Sequence, residues 1–196
     1  MTRIPAPKLA LAAILCAAAA PALAEGGTVS GKVDATPAKY AAETVVYLKG
    51  VKASAKPKTA SMDQKNMTFI PHVLVVTKGD TGKFLNHDNV AHNVYSPDND
   101  AYNLGTFKQN EERTHTFAKA GVYSQLCSIH PEMLGYIFVG QNPYAAAVDK
   151  KGKYLIKNVP AGSYQLAVWN AKLKGPEKPV TVTAGKTVEE NLTVKR

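Results

Sequence analysis

The 196-residue chain carries 24 Lys and Arg against 15 Asp and Glu, a formal charge of +9 at pH 7, with 45% hydrophobic residues and two cysteines. So few cysteines exclude a disulfide-stapled scaffold, and basic residues that are almost all scattered lysines argue against a nucleic-acid-binding role. No apolar run approaches the roughly 20 residues that a membrane-spanning helix needs, so no membrane span is expected.

The first 24 residues have the three parts of an export signal: a basic start at Arg3 and Lys8, the apolar run "LALAAILCAAAA", and the small-residue cleavage sequence "ALA" before Glu25. The mature protein is therefore expected in a bacterial periplasm. Cys16 stands behind Leu15, where lipid attachment would want a small residue, and leaves with the signal. Loss of Arg3 and Lys8 takes the formal charge from +9 to +7 with no acidic residue removed; such a balance favours acidic partner surfaces and says little about fold. Cys127 is then the single thiol, so no intramolecular disulfide can form in a compartment that would allow one. Taken alone, it reads as a buried apolar side chain.

Strand signals fill the rest of the chain. "TVSGKV", "TVVYL", "HVLVV", "KFLN", "HNVYS", "THTF", "GVYSQLC", "GYIFVG", "KYLIKNV", "SYQLAVW", "VTVT" and "NLTV" are short, rich in Val, Tyr, Phe and Thr, and often alternating. Gly, Pro, Asn and Asp punctuate them in "KGDTG", "SPDND", "DKKGK" and "NVPAGS". No segment sustains a 3.6-residue apolar period. The fold class is all-β, with length for two small sandwiches or one large one. "KASAKPKTAS" (52–61) and "GQNPYA" (140–145) read as linkers that bracket a self-contained block.

Inside that block, "QLCSIHPEMLGY" (125–136) places Cys127, His130 and Met133 three residues apart on one tight loop after a strand. Its turns can aim a thiolate, an imidazole and a thioether at a common point. A fourth donor is His92 in "NHDNVAHNVYS", which opens a β-run after a polar loop and so projects from a neighbouring strand. Two imidazoles, one thiolate and a distant thioether are the donor pattern of blue copper electron-transfer sites. Cys-His-His also suits zinc, which the methionine makes a poor second.

The text from about Ser61 to Gly140, "MTFIPHVLVVTKGDTGKFLNHDNVAHNVYS" followed by "ERTHTFAKAGVYSQLCSIHPEMLGYIFVG", resembles a cupredoxin of the plastocyanin and amicyanin type. The Cys-x-x-His-x-x-Met spacing resembles amicyanin's short loop more than plastocyanin's. The resemblance implies a Greek-key β-sandwich holding one type 1 copper ion, with His92 and His130 as equatorial imidazoles, Cys127 as the thiolate and Met133 as the axial ligand. It further implies that Asn93 locks the two ligand segments together and bonds near the sulfur. His130 would reach the surface in an apolar electron port formed with Ile129, Pro131 and Leu134.

Other candidates have plainer readings. His72 follows "FIP" at a strand start and is structural or superficial. His87 in its polar loop and His115, read as facing away from Phe117, are solvated. Met67 is a core strand residue, Met62 a weaker metal candidate still, and Lys52, Lys56, Lys58 and Lys65 a solvated linker surface.

The tail, above all "DKKGKYLIKNVPAGSYQLAVW", resembles a carboxypeptidase regulatory-like domain, a small transthyretin-like β-sandwich without catalytic residues, in which Trp169 is core. That family opens with a strand pair such as "VSGKV" and "VVYLKGV", which here stands before the cupredoxin-like block. Two arrangements stay open. In the first, residues 25–57 belong with 142–196 in one sandwich split by a copper domain over 58–141, an insertion favoured because the tail of about 50 residues is short for an unstapled core. In the second, "TVVYLKG" joins the cupredoxin sheet and the tail folds alone.

The expected function is a periplasmic electron carrier that exchanges single electrons with redox proteins such as a c-type cytochrome or a dehydrogenase. The alternative is a copper trafficking or sensing module with the same ligands. An enzyme is disfavoured: Leu126 and Ser128 flank Cys127, so the His-Cys-His wire of multicopper oxidases is missing, the mature chain is expected to begin with Glu25 and not histidine, and one thiol cannot build a two-cysteine binuclear centre.

Overall fold

The computed structural model describes residues 26–196; the export signal expected over residues 1–24, with Cys16, lies outside the described residues. In chain order the strands are β1 (Gly27–Thr36), β2 (Thr44–Lys49), β3 (Thr59–Lys65), β4 (Thr68–Ile70), β5 (Val73–Thr77), β6 (Thr81–Asn86), β7 (His92–Ser96) and β8 (Tyr102–Phe107). They continue as β9 (Glu112–Thr116), β10 (Gly121–Leu126), β11 (Leu134–Gly140), β12 (Ala145–Ala147), β13 (Lys153–Val159), β14 (Gly162–Asn170), β15 (Lys178–Val182), β16 (Thr187–Glu189) and β17 (Leu192–Lys195). One short 3-10 segment, Ala38–Glu43, joins β1 to β2. Among the described residues no helix is long and apolar enough to cross a membrane.

These strands make four sheets. Sheet I holds β13, β1, β16 and β17; sheet II runs β12-β2-β14-β15; sheet III runs β5-β11-β10-β7-β8; sheet IV runs β4-β3-β6-β9. The N-terminal strands pair with the C-terminal ones: β1 with β13 antiparallel and with β16 and β17 parallel, β2 with β12 and β14 antiparallel. Sheets I and II enclose one core, built on Val29, Val33, Val46, Leu48, Ile156 and Leu166. Sheets III and IV enclose another, with Phe69, Phe84, Phe107, Phe117 and Tyr123 around Cys127 and Met133.

The two sandwiches are stacked through a third apolar layer in which Val45, Tyr47, Ala145 and Trp169 of sheet II meet Val73, Tyr136 and Phe138 of sheet III. The period of two along a strand makes this possible, since successive side chains leave on opposite faces. Val46 and Leu48 of β2 point into the first core while Val45 and Tyr47 point at sheet III; on β11, Ile137 and Val139 point into the second core while Tyr136 and Phe138 point at sheet II. Trp169 packs edge-on to Tyr136 at 5.4 Å between centroids, and Tyr47 lies 4.9 Å from Phe138. "TVVYL" and "GYIFVG" therefore read as continuous apolar runs because both of their faces are buried.

Three placements differ from the sequence expectation. Trp169 is not in the core of the outer sandwich: it is half-buried on the other face of β14, in the layer against Tyr136 and Phe138. Met67 is 40% exposed, not core: Asn66 and Met67, with φ of 53° and 54°, form the two-residue turn between β3 and β4. His115 shares a face with Phe117, as residues two apart on a strand must, stacking on Tyr102 at 3.9 Å and meeting Phe117 edge-on at 5.0 Å. Burial holds its imidazole below the ordinary value of 6.5, against an opposing pull from Asp100.

Candidate metal centre

Three chain segments converge at one end of the sheet III–IV sandwich. His92 opens β7, Cys127 follows β10, and His130 lies in the loop that returns to β11. The register Leu126↔Tyr95 sets β10 beside β7 and brings Cys127 against the start of that strand. Donor atoms of His92, Cys127 and His130 all lie within 4.8 Å of one another. The Cys127 Sγ stands 4.0 Å from His92 Nδ1 and 3.8 Å from His130 Nδ1, and the two Nδ1 atoms are 3.0 Å apart. His92 and Cys127 are buried, His130 partly so. Met133 is buried in the same core cluster as Cys127, its loop closed by a backbone bond from Met133 N–H to the His130 carbonyl at 3.0 Å.

Asn93 ties the segments together. Its backbone N–H points at Cys127 Sγ at 3.4 Å, its Oδ1 accepts from Ser128 N–H at 3.3 Å, and its Nδ2 donates to Asn103 at 2.8 Å. Gly135 permits the return of the loop: a Cβ there would come within 2.9 Å of Phe69 Cβ and 3.3 Å of the His72 carbonyl oxygen.

Asp88 is the residue that sequence reasoning missed. Its Oδ2 lies 2.7 Å from His92 Nε2, and its two carboxylate oxygens accept the Asn66 and Met67 N–H groups at 2.6 and 2.8 Å. Burial pushes this carboxyl up, but those hydrogen bonds together outweigh it and hold the group below the ordinary carboxylate value. An ionised carboxylate fixes the proton of His92 on Nε2, which leaves Nδ1 as a lone-pair donor facing the cysteine. The loop carrying Asp88 is braced by Asn86, whose Nδ2 donates to the Val90 and Phe107 carbonyls and whose Oδ1 accepts from Asp88 N–H. The available signal was an aspartate four residues before a histidine in an Asn-rich loop.

The remaining histidines stand apart. His87 is exposed and pairs with Asp63 at 2.7 Å, His72 meets Tyr136 edge-on at 5.6 Å, and His115 belongs to the aromatic stack described above. Around the convergent loop, Ile129 is 46% exposed, Pro131 exposed and Leu134 half-buried.

Residues 55–140 match the family model of copper binding proteins, plastocyanin/azurin family. The inner sandwich is cupredoxin-like. Copper is the ion of this family, and the donor set fits it, since thiolate with imidazole suits a borderline-soft metal in either of its oxidation states. Residues 139–190 match polysaccharide lyase family 4, domain II, a fibronectin-like β-sandwich.

Among solved structures, the cupredoxin domain is similar to a purple cupredoxin from Nitrosopumilus maritimus, 26% identical over 41% of this chain and 99% of that one, with a TM-score of 0.39. Amicyanin from Paracoccus versutus is 23% identical over 45% and 85%, TM-score 0.39. A copper-containing nitrite reductase from Thermus scotoductus is 28% identical over 47% of this chain and only 25% of its own length, TM-score 0.40. A search of curated proteins returned no match.

Proposed function

We propose that the protein is a periplasmic one-electron carrier in which His92, Cys127, His130 and Met133 hold a single type 1 copper ion. The observation that carries this reading is a buried sulfur and two imidazoles from separate segments, with donor atoms within 4.8 Å of one another, in a block that matches a copper-binding family. Bound copper supplies one-electron chemistry by alternating between its cuprous and cupric states.

The chain's part is to keep the donors still. Asp88 sets the tautomer and ring orientation of His92, Asn93 joins β7 to the Cys127 loop, and the packed core around Met133 limits movement of that loop. Donors that move little between charge states keep reorganisation small. His130 and the exposed Ile129 and Pro131, flanked by Leu134, would form the contact through which a c-type cytochrome or a dehydrogenase exchanges electrons. Catalysis is not part of the proposal, because Leu126 and Ser128 beside Cys127 provide no histidines to wire the site to a second centre. We also take 25–57 and 142–196 as one outer sandwich into which a copper domain over 58–141 is inserted.

The test is the visible absorption and electron paramagnetic resonance of the mature protein loaded with Cu(II) and then reduced with ascorbate. An intense thiolate-to-copper band with a small copper hyperfine splitting, bleaching reversibly, is the expected result. A colourless complex with ordinary Cu(II) parameters would overturn it, and rapid transfer of copper to a competing chelator without redox cycling would favour trafficking. Met133→Gln is expected to retain copper and lower the reduction potential, measured by voltammetry; an unchanged potential removes Met133 from the set of residues that would hold the ion.

A further inference from the structure

The chain's positive charge is segregated. Residues 58–141 contain 7 Lys and Arg and 8 Asp and Glu, a net of −1, whereas residues 26–57 and 142–196 together contain 15 and 6, a net of +9. The domain with the metal centre is close to neutral, and the outer sandwich holds all of the excess. Of its 15 basic residues 14 are lysine. Arginine is the residue for bidentate recognition of individual carboxylates, while lysine is a hydrated point charge suited to a diffuse anionic field.

Sheet I is the outermost layer on that side. On β13, Lys153, Leu155 and Lys157 share its outward face, and the register places Ser30 beside Leu155 and Lys32 beside Lys153. Lys150 and Lys151 extend the face at the turn before β13. Lys150, Lys151, Lys153 and Lys157 are exposed, and none is in an ion pair among the described residues. Three acids lie near this face: Asp34 pairs with Lys32 at 2.7 Å, Asp149 accepts from the Lys151 and Lys153 N–H groups at 2.8 Å, and Glu189 is exposed in register with Ser30, so the five lysines on and beside the face still outnumber them.

Leu155, at 49% exposed, is the only large exposed hydrophobic residue outside block 58–141 among the described residues. Lysines on an edge strand also guard it against pairing with other chains, but that does not account for Lys150 and Lys151, which lie in a turn, nor for a bare leucine between two of the lysines.

This face is remote from the metal centre. Packed sheets stand about 10 Å apart, so the layers between it and Cys127 hold the two about 20 Å or more from each other. A molecule seated there is kept away from His130, which suits an anchor and not a redox partner. We propose that the outward face of sheet I, with the β12–β13 turn, rests on an anionic phospholipid bilayer and presents the cupredoxin domain to the aqueous side. Clustered lysines draw a protein to such a surface through its negative potential, within about a Debye length.

The experiment needs no copper, so its outcome is independent of the electron-carrier reading. The mature apoprotein is co-sedimented with vesicles of phosphatidylcholine alone and with phosphatidylglycerol added, at low and high salt. Binding to the phosphatidylglycerol vesicles only, reversed by salt, is expected. The fourfold variant Lys150→Glu, Lys151→Glu, Lys153→Glu, Lys157→Glu should weaken binding about tenfold or more, while the matched reversal of Lys58, Lys65, Lys78 and Lys108 on the cupredoxin domain should leave it within about twofold.

Circular dichroism checks both folds; if the fourfold variant does not fold, K150E and K157E singly should each weaken binding about threefold. No binding to phosphatidylglycerol vesicles at low salt would overturn the proposal. So would equal weakening by the two fourfold sets, which reports net charge alone, or retention on immobilised polygalacturonate with none on vesicles.

Discussion

The inner and outer sandwiches bury cores of similar size and opposite character. The outer core is almost wholly aliphatic, with Tyr154 as its single fully enclosed aromatic, whereas the inner one is filled by Phe69, Phe84, Phe107, Phe117 and Tyr123 beside Met62, Met133 and Cys127. The buried polar residues divide more sharply. Gln64, Asp80, Asn86, Asp88, His92, Asn93, Ser96 and Gln125 lie in the inner sandwich, and among the described residues only Thr44 and Asn142 lie outside it. A buried polar group is costly unless hydrogen-bonded, so its presence marks where position matters more than stability. Five of these residues, Asn86 through Asn93 with their bonds to Cys127 and Ser128, serve one end of one sandwich, or in Gln64's case join that end through a bond to the Leu85 carbonyl. The outer sandwich has no such end.

Substitutions can break this contrast in order of size. Cys127→Ser is expected to abolish any thiolate-to-copper absorption while leaving the fold intact by circular dichroism; surviving colour would remove Cys127 from the site. Leu166→Ala, in the outer core with no exposed surface, should cost about 2–5 kcal/mol in denaturant unfolding and leave the copper spectrum unchanged. A changed spectrum would mean that the two sandwiches are not separable in this sense.

Asp88→Ala should cost about 1–3 kcal/mol, because it strands the His92, Asn66 and Met67 donors, and unlike Leu166→Ala it should also alter the copper spectrum. An unaltered spectrum would make Asp88 a brace for the β3–β4 turn only.

The smallest effect concerns pH. The His115 imidazole is held below 6.5 in the fold by burial, so the unfolded chain binds the proton more readily. Stability is then full above the unfolded value and declines as pH falls through 6.5 toward the lower folded value. His115→Phe should flatten that part of the stability curve, as read from melting temperature between neutral and mildly acidic pH.

Much of this was legible in the chain. Short Val, Tyr and Thr runs with turn residues between them gave the all-β class, and the spacing of Cys127, His130 and Met133 stood out because thiols are so few. The polar strand β3 was harder: only Met62 and Gln64 of "TASMDQK" are buried, so its first residues read as linker. β8 was missed because Gly105, at φ 73°, interrupts the alternation. Asp88 escaped notice because an aspartate in "NHDN" has every local reason to be a solvated turn residue, and its role exists only once the Asn66–Met67 turn and His92 meet it from elsewhere. His115 was misjudged by overlooking that residues two apart share a face.

The pairing of β2 with β12 and β14, and of β1 with β13, has a consequence for the order in which the chain can fold. About 95 residues separate Leu48 from Tyr144, whose carbonyl accepts the Leu48 N–H at 2.9 Å, and closing so long a flexible loop is entropically costly. Once the inner sandwich has formed, the ends of that segment are already close, and the remaining strands meet across a short gap. Contacts of such long sequence separation slow folding, so acquisition of the outer sandwich should trail that of the inner one, and the loop from Cys127 to Met133 would be in place before sheet I is complete.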